Sequence, residues 1–326
     1  APAALINDIT STLTGTFFTV DGSSNIGSAT KGTRPGHPYA DIVFAFAFQR
    51  VLRNVAMNLD KQGLRPYIPS GKHGTIHAQP PTQGTFLPIP AFFDDFVIIV
   101  LTKFPQALFS KARAALTCCA DSMAIHDREI NDEEGKTEVI IEYNGKGAEA
   151  ERKALHSPHN TATSHIRTTK SFHRALCIKV VSTYKHLGSH NSGITNYDVE
   201  CVNRISSAKG AFAPLRRKLF ANRLIGMRKR VTTWQALVLS RLIFHISTWA
   251  KINEASWSKL ETFFHVSLRQ LTSTTNKDFT RANVTARADA NTMPLRCIIS
   301  MRRIGLLRRI LQHGPTWFHG LLQNTC

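Results

Sequence analysis

Two aspartates stand side by side at Asp94 and Asp95, between Ile89-Pro90-Ala91-Phe92-Phe93 and Phe96-Val97-Ile98-Ile99-Val100-Leu101. Both flanks favour β structure and Asp favours turns, so the spacing predicts a tight hairpin with the acidic pair at its tip. Two carboxylates held in that way offer hard oxygen ligands to a divalent cation, which is the chemistry of nucleotidyl transfer. Asp is also an ordinary turn residue, and a solvated hairpin accounts for the same residues. A second concentration of chemistry runs from Cys201 to Ala250, where Arg204, Lys209, Arg216, Arg217, Lys218, Arg223, Arg228, Lys229, Arg230 and Arg241 occur with no carboxylate among them. Uncompensated positive charge of that length attracts phosphate. Trp234, Trp249 and Trp257 sit among apolar residues at helical spacing, and core is their first reading, ahead of base-stacking platforms. Arg302-Arg303 and Arg308-Arg309 extend a basic face that a solvated helix explains equally well.

The elements that must position these groups alternate and then become helical. A strand is expected at Thr14 to Val20, a turn at Asp21-Gly22-Ser23-Ser24 and a return strand near Ile26 to Thr30. A glycine and proline loop at Lys31 to Pro38 precedes a strongly apolar helix from Asp41 to Leu52, expected to be buried. Residues 62–90 are rich in Gly, Pro, His and Thr and form a connection with room for short strands. An amphipathic helix runs from Pro105 to about Ile125, with Pro in its first turn and Leu108, Ala112, Ala115, Leu116 and Cys119 on one face. Strands follow at Glu138 to Tyr143 and Arg174 to Tyr184, then helices at about Asp198 to Arg223, Thr232 to Ile252, Ser256 to Leu271 and Leu295 to His313. The fold class is α+β, with an antiparallel sheet and packed helices followed by an all-helical part.

The balance of 41 Lys plus Arg against 22 Asp plus Glu gives a formal charge of +19, and nucleic acid is the default partner of such a chain. No run reaches the roughly 18 apolar residues of a membrane span, because Asp94 and Asp95 interrupt one candidate and Arg241 and His245 another. The six cysteines form no C-x-x-C pair, which suits a reducing compartment, and Cys118-Cys119 fits a buried helix. His156, His159, His165, His173 and Cys177 lack the second close pair of a structural zinc site. The chain opens Ala1-Pro2-Ala3 without Met or a signal-like segment, and is expected to be a piece of something longer.

Taken in order, Gly32-Thr33-Arg34-Pro35-Gly36-His37-Pro38-Tyr39-Ala40-Asp41-Ile42-Val43-Phe44, Phe92-Phe93-Asp94-Asp95, Gly135-Lys136-Thr137-Glu138 and Tyr184-Lys185-His186-Leu187-Gly188 resemble successive motifs of the non-LTR (LINE-type) retrotransposon reverse transcriptases. The resemblance covers essentially the whole chain. It implies a partial fingers and palm over residues 1–188, and a helical thumb with a C-terminal extension over 189–326. It also implies an RNA template, a DNA primer and deoxynucleoside triphosphates as partners, Mg2+ or Mn2+ as cofactor, no membrane, and the nucleus as location. By the same resemblance, Arg34 lies near phosphate or template and Gly36 lets backbone approach the nascent base pair. Phe92 packs near the primer end, and Asp94 binds metal with Asp95 as ligand or support. Lys136 supports the leaving pyrophosphate, and Tyr184, Lys185 and Gly188 form the primer grip. Arg216, Arg217, Lys218, Arg228, Lys229 and Arg230 track the nucleic-acid backbone.

The sequence departs from the family in three places. Nothing before Lys31 matches the first palm motif, which supplies the other metal-binding Asp; Asp8 and Asp21 lie too close to the glycine loop. Pro35 stands where many relatives carry Gln, and Phe93 where a small residue is usual. The expectation is therefore an RNA-directed DNA polymerase segment that polymerises little or not at all by itself. The alternative is a non-catalytic nucleic-acid-binding remnant.

Overall fold

The computed structural model describes residues 3, 16–19, 26–29, 40–69, 84–92, 94–155, 165–169, 175–192, 197–249, 251–273 and 282–325. The chain divides into two compact units: residues 1–68, 85–137 and 143–179 form one, and residues 69–84, 138–142 and 180–326 the other.

In the first unit, the expected hairpin is present as β1 (Thr16–Thr19) and β2 (Ile26–Ala29), antiparallel with Thr16 opposite Ala29. Helix α1 (Ala40–Lys61) is more than a turn longer at its C-terminal end than its apolar start suggests. It is also amphipathic rather than buried: Phe48, Val51, Val55 and Leu59 are inside, whereas Phe46 is 68% exposed. Its end is a Schellman motif, with Gly63 left-handed at φ 62°, Leu64 N–H donating to Leu59 O and Gly63 N–H to Asp60 O. Short strands β3 (Tyr67–Pro69) and β4 (Gly84–Phe86) pair next, followed by the pair β5 (Ala91–Phe92) and β6 (Asp95–Phe96). A 3-10 turn at Pro105–Ala107 then leads into α2 (Leu108–Ala124), with Ala115, Cys118, Cys119, Ser122 and Met123 buried. The two helices pack together and are pinned by Asn58 Nδ2 donating to Ser122 Oγ at 2.9 Å. Burial raises the Cys118 thiol pKa and pushes that of Cys119 up to about 12, so the pair is inert core. Helix α3 (Ala148–Leu155) follows; β7 (His165–Arg167) and β8 (Cys177–Lys179) then pair antiparallel with Ile166 and Ile178 fully buried.

The expected antiparallel sheet is present among the described residues only as separate two-stranded pairs. The apolar run 97–101 lies outside any strand, and 138–143 contributes one parallel bridge, Val139 to Val180. Proline supplies part of the reason: Pro88 and Pro90 have no N–H to donate, so upstream of Ala91 the pairing keeps only the Val97 N–H to Pro90 O bond at 2.9 Å.

The second unit holds a β-hairpin of β9 (Thr183–His186) and β10 (Ser189–Ser192), then helices. Helix α4 (Asp198–Leu215) contains Pro214 and passes into a π-helix at Arg216–Phe220. Helix α5 (Met227–Trp234) continues through a second π-helix, Gln235–Leu239, into the single turn α6 (Ser240–Leu242). Helix α7 (Glu254–Thr272) is capped by Asn253, whose side chain accepts from Ser256 N–H and donates to Asp198 Oδ1, joining two helix starts. Helices α8 (Asn283–Asp289), α9 (Leu295–His313) and α10 (Thr316–Thr325) complete the chain; α3, α8 and α10 are elements that the sequence pattern does not announce. One core runs from Cys201 to Ile299 and includes Trp234, Trp249 and Trp257, as their helical spacing suggested. The molecule is thus α+β, with its second unit helical after Asp198. No helix among the described residues is long and apolar enough to cross a membrane.

Candidate functional site

The acidic pair sits on a hairpin shorter than expected. Strands β5 and β6 place Ala91 opposite Phe96 and Phe92 opposite Asp95, so Asp94 belongs to the turn and Asp95 to the strand. Both carboxylates are exposed, and Phe92 is 59% exposed. The hairpin is anchored by Phe96, whose ring meets Phe48 of α1 edge-on at 5.8 Å. Lys136 is exposed in a turn made possible by Gly135 at φ 80°, its N–H donating to Glu133 O; it is in the same unit but on a separate loop. Arg34, Gly36 and the rest of the glycine loop lie outside the described residues, as do Phe93, His156, His159 and His173. Asp94 and Asp95 are hard oxygen donors of the kind Mg2+ takes. Among the described residues, however, no group of three His, Cys, Asp or Glu side chains is placed to hold a metal ion. Two carboxylates alone are fewer oxygen ligands than a divalent cation takes.

Tyr184, Lys185 and Gly188 share the β9–β10 hairpin. Leu187 and Gly188 lie between the strands at φ 47° and φ 80°, the two left-handed residues that a type I′ turn requires, with Leu in a position that suits Asn or Gly better. The hairpin is tied to α4 through Glu200, which is 2% exposed and whose Oε2 accepts from His190 N–H at 2.9 Å and lies 3.3 Å from His190 Nδ1. Arg204 donates to Glu200 Oε1 at 2.6 Å and to Gly188 O, and its guanidinium lies 4.7 Å from the Phe244 ring centre. His245, left-handed at φ 56°, is hydrogen-bonded through Nδ1 to Ser189 Oγ at 2.7 Å. Burial and then Arg204 hold its imidazole below the usual histidine range, against an opposing pull from Glu200. Arg204 is thus a structural cation and leaves the phosphate-seeking series. The i, i+4 spacing of Glu200 and Arg204 was legible in the sequence; the arrival of His190 and His245 was not.

Six of the remaining basic residues flank one turn along the chain. Pro214 removes a helical N–H donor, and the π-helix that follows leaves Arg216, Arg217 and Lys218 exposed. Arg223, Arg228 and Lys229 are exposed on the far side of the turn. No carboxylate pairs with any of these six among the described residues. Arg230 corrects the expectation for its run: it is 6% exposed, and its Nη1 donates to Phe220 O at 3.0 Å and Leu271 O at 2.7 Å. Helical geometry explains the reversal, since a residue two places after Arg228 faces the opposite side of the helix. Arg303 likewise donates to Trp249 O at 2.7 Å. A polar recess beside α7 is lined by Glu254, Glu261, His265, Arg269, Asn283 and Arg296, but Arg296 is paired with both glutamates and the recess is charge-compensated. The chain matches no protein-family model, no curated protein and no solved structure.

Proposed function

We propose that the chain is the later-palm and thumb segment of a LINE-type reverse transcriptase, and that its own activity is to hold nucleic acid on the cationic turn between α4 and α5. The observation that carries this reading is the grouping of Arg216, Arg217, Lys218, Arg223, Arg228 and Lys229, all exposed and without a carboxylate partner among the described residues. Such a surface gains affinity for a phosphate backbone by counterion release. In the intact parent the partners are an RNA template, a DNA primer and deoxynucleoside triphosphates. Asp94 and Asp95 would hold Mg2+ or Mn2+ there together with a carboxylate from the first palm motif, and the bound cation neutralises charge on the transferring phosphoryl group. Lys136 and the hairpin of Tyr184, Lys185 and Gly188 keep the roles that the sequence resemblance gives them. A non-catalytic remnant is the second reading, favoured by Phe93 where relatives carry a small residue.

Binding to an RNA–DNA hybrid, followed by fluorescence anisotropy across salt, tests the first reading. Affinity is expected to fall steeply with salt, and replacing Arg228 and Lys229 by Ala is expected to lower the slope by about 1 per cation removed. Salt-insensitive binding, or none, refutes the proposal. Primer extension with Mg2+ or Mn2+ is expected to give no product from the chain alone, and robust incorporation would overturn that part.

A further inference from the structure

The cationic turn carries one side chain that phosphate binding does not use. Leu224 is 97% exposed, more than any other large apolar residue described. A single exposed leucine is ordinary on a protein surface. This one differs in how it is held and in what surrounds it.

Its backbone is fixed from both sides. Leu224 N–H donates to Asn222 Oδ1 at 3.0 Å, Asn222 Nδ2 donates to Lys218 O at 3.2 Å, and Ile225 N–H to Asn222 O at 3.3 Å. Beneath the turn, Phe220 is fully buried and stacked on Phe212 at 5.0 Å, while Arg230 clamps the Phe220 carbonyl from inside. An Asx-type turn on such a base presents its apex in one orientation, so little entropy is lost when the apex meets a partner. The basic residues on either side of it along the chain, Arg216, Arg217, Lys218, Arg223, Arg228 and Lys229, are all exposed.

We propose that Leu224 is a wedge that enters the base stack of a duplex bound by this turn and opens one step. The cations select a polyanion, and a branched apolar side chain projecting from among them fits between bases at the point of closest approach. A lipid surface would call for a broad apolar face, and one leucine supplies too little area to hold a membrane. The wedge rests on the proposed nucleic-acid binding and deepens it.

The test uses the full chain and an RNA–DNA hybrid whose DNA strand carries 2-aminopurine, with anisotropy reporting binding and 2-aminopurine fluorescence reporting unstacking. Saturating protein is expected to raise the fluorescence. Leu224→Ala is expected to lose that rise at protein concentrations where anisotropy shows the hybrid saturated. Leu224→Phe is expected to keep the rise. Replacing Arg228 and Lys229 by Ala is expected to weaken binding yet retain the rise at saturation. If Leu224→Ala binds and unstacks like the native chain, or the native chain saturates the hybrid without a rise, the wedge is overturned and the nucleic-acid reading stands. If no hybrid binds at any salt, both fall. Leu224-dependent binding to phosphatidylserine vesicles without unstacking of the hybrid overturns the wedge in favour of a membrane contact.

Discussion

A single residue separates Arg228 from Arg230, and the helix sends one to solvent and the other to two buried carbonyls. Arg230→Met keeps the volume but leaves the Phe220 and Leu271 carbonyls without their donor, and is expected to lower unfolding free energy by about 2–4 kcal/mol. Urea denaturation measures this. The salt slope for nucleic-acid binding should not change in the same variant, which separates Arg230 from its exposed neighbours. Histidines supply the second prediction at this scale. His245 and His265 both lie below the ordinary 6.5, each chiefly through burial, followed by Arg204 in the first case and Arg287 in the second. Between those lowered values and 6.5 the unfolded chain binds more protons than the folded one, so stability rises with pH in that window and falls as pH drops through it. Denaturation midpoints between about pH 5 and 7.5 are expected to show that slope, and His245→Asn with His265→Gln to flatten it. A midpoint that rises on acidification contradicts the assignment.

At the scale of elements, three helices end by the same device on three different residues. Gly63 closes α1, Asp127 at φ 53° closes α2 and Asn291 at φ 45° closes α8, each followed by an N–H that reaches back five residues, as from Arg128 to Met123 and from Thr292 to Arg287. Gly63 has nothing within 4 Å of an added Cβ, so Gly63→Ala tests conformation alone and is expected to cost about 1 kcal/mol. Leu187 occupies a comparable left-handed position in the β9–β10 turn, and Leu187→Asn is expected to add about 1 kcal/mol. Thermal or urea melts decide both, and a neutral result at Leu187 would mean that its side chain makes a compensating contact.

For the whole molecule, the buried core of the second unit runs, among the described residues, from Cys201 to Ile299, with Tyr197 packed against it. A domain with its own core folds alone. Residues 180–326 expressed separately are therefore expected to show helical circular dichroism and one cooperative unfolding transition, and a broad, non-cooperative melt would show that segments outside this stretch are needed. The cations of the proposed interface all lie in this stretch, so nucleic-acid binding should survive in it.

Local pattern decided much of this protein before any tertiary packing was known. The strands β1 and β2 fall where the sequence pattern put them, Pro105 opens the turn before α2, and apolar periodicity marked 295–313 and nearly all of 254–272, because such signals act over a few residues. The three tryptophans were readable as core for the same reason. Partners distant in sequence were not readable: strong β residues at 97–101 form no strand, Arg204 is drawn from phosphate to Glu200, and Arg230 is turned inward by a carbonyl 41 residues away. A side chain's type fixes which interactions it can make, but its burial depends on where distant segments pack, and that is settled only when the chain closes on itself.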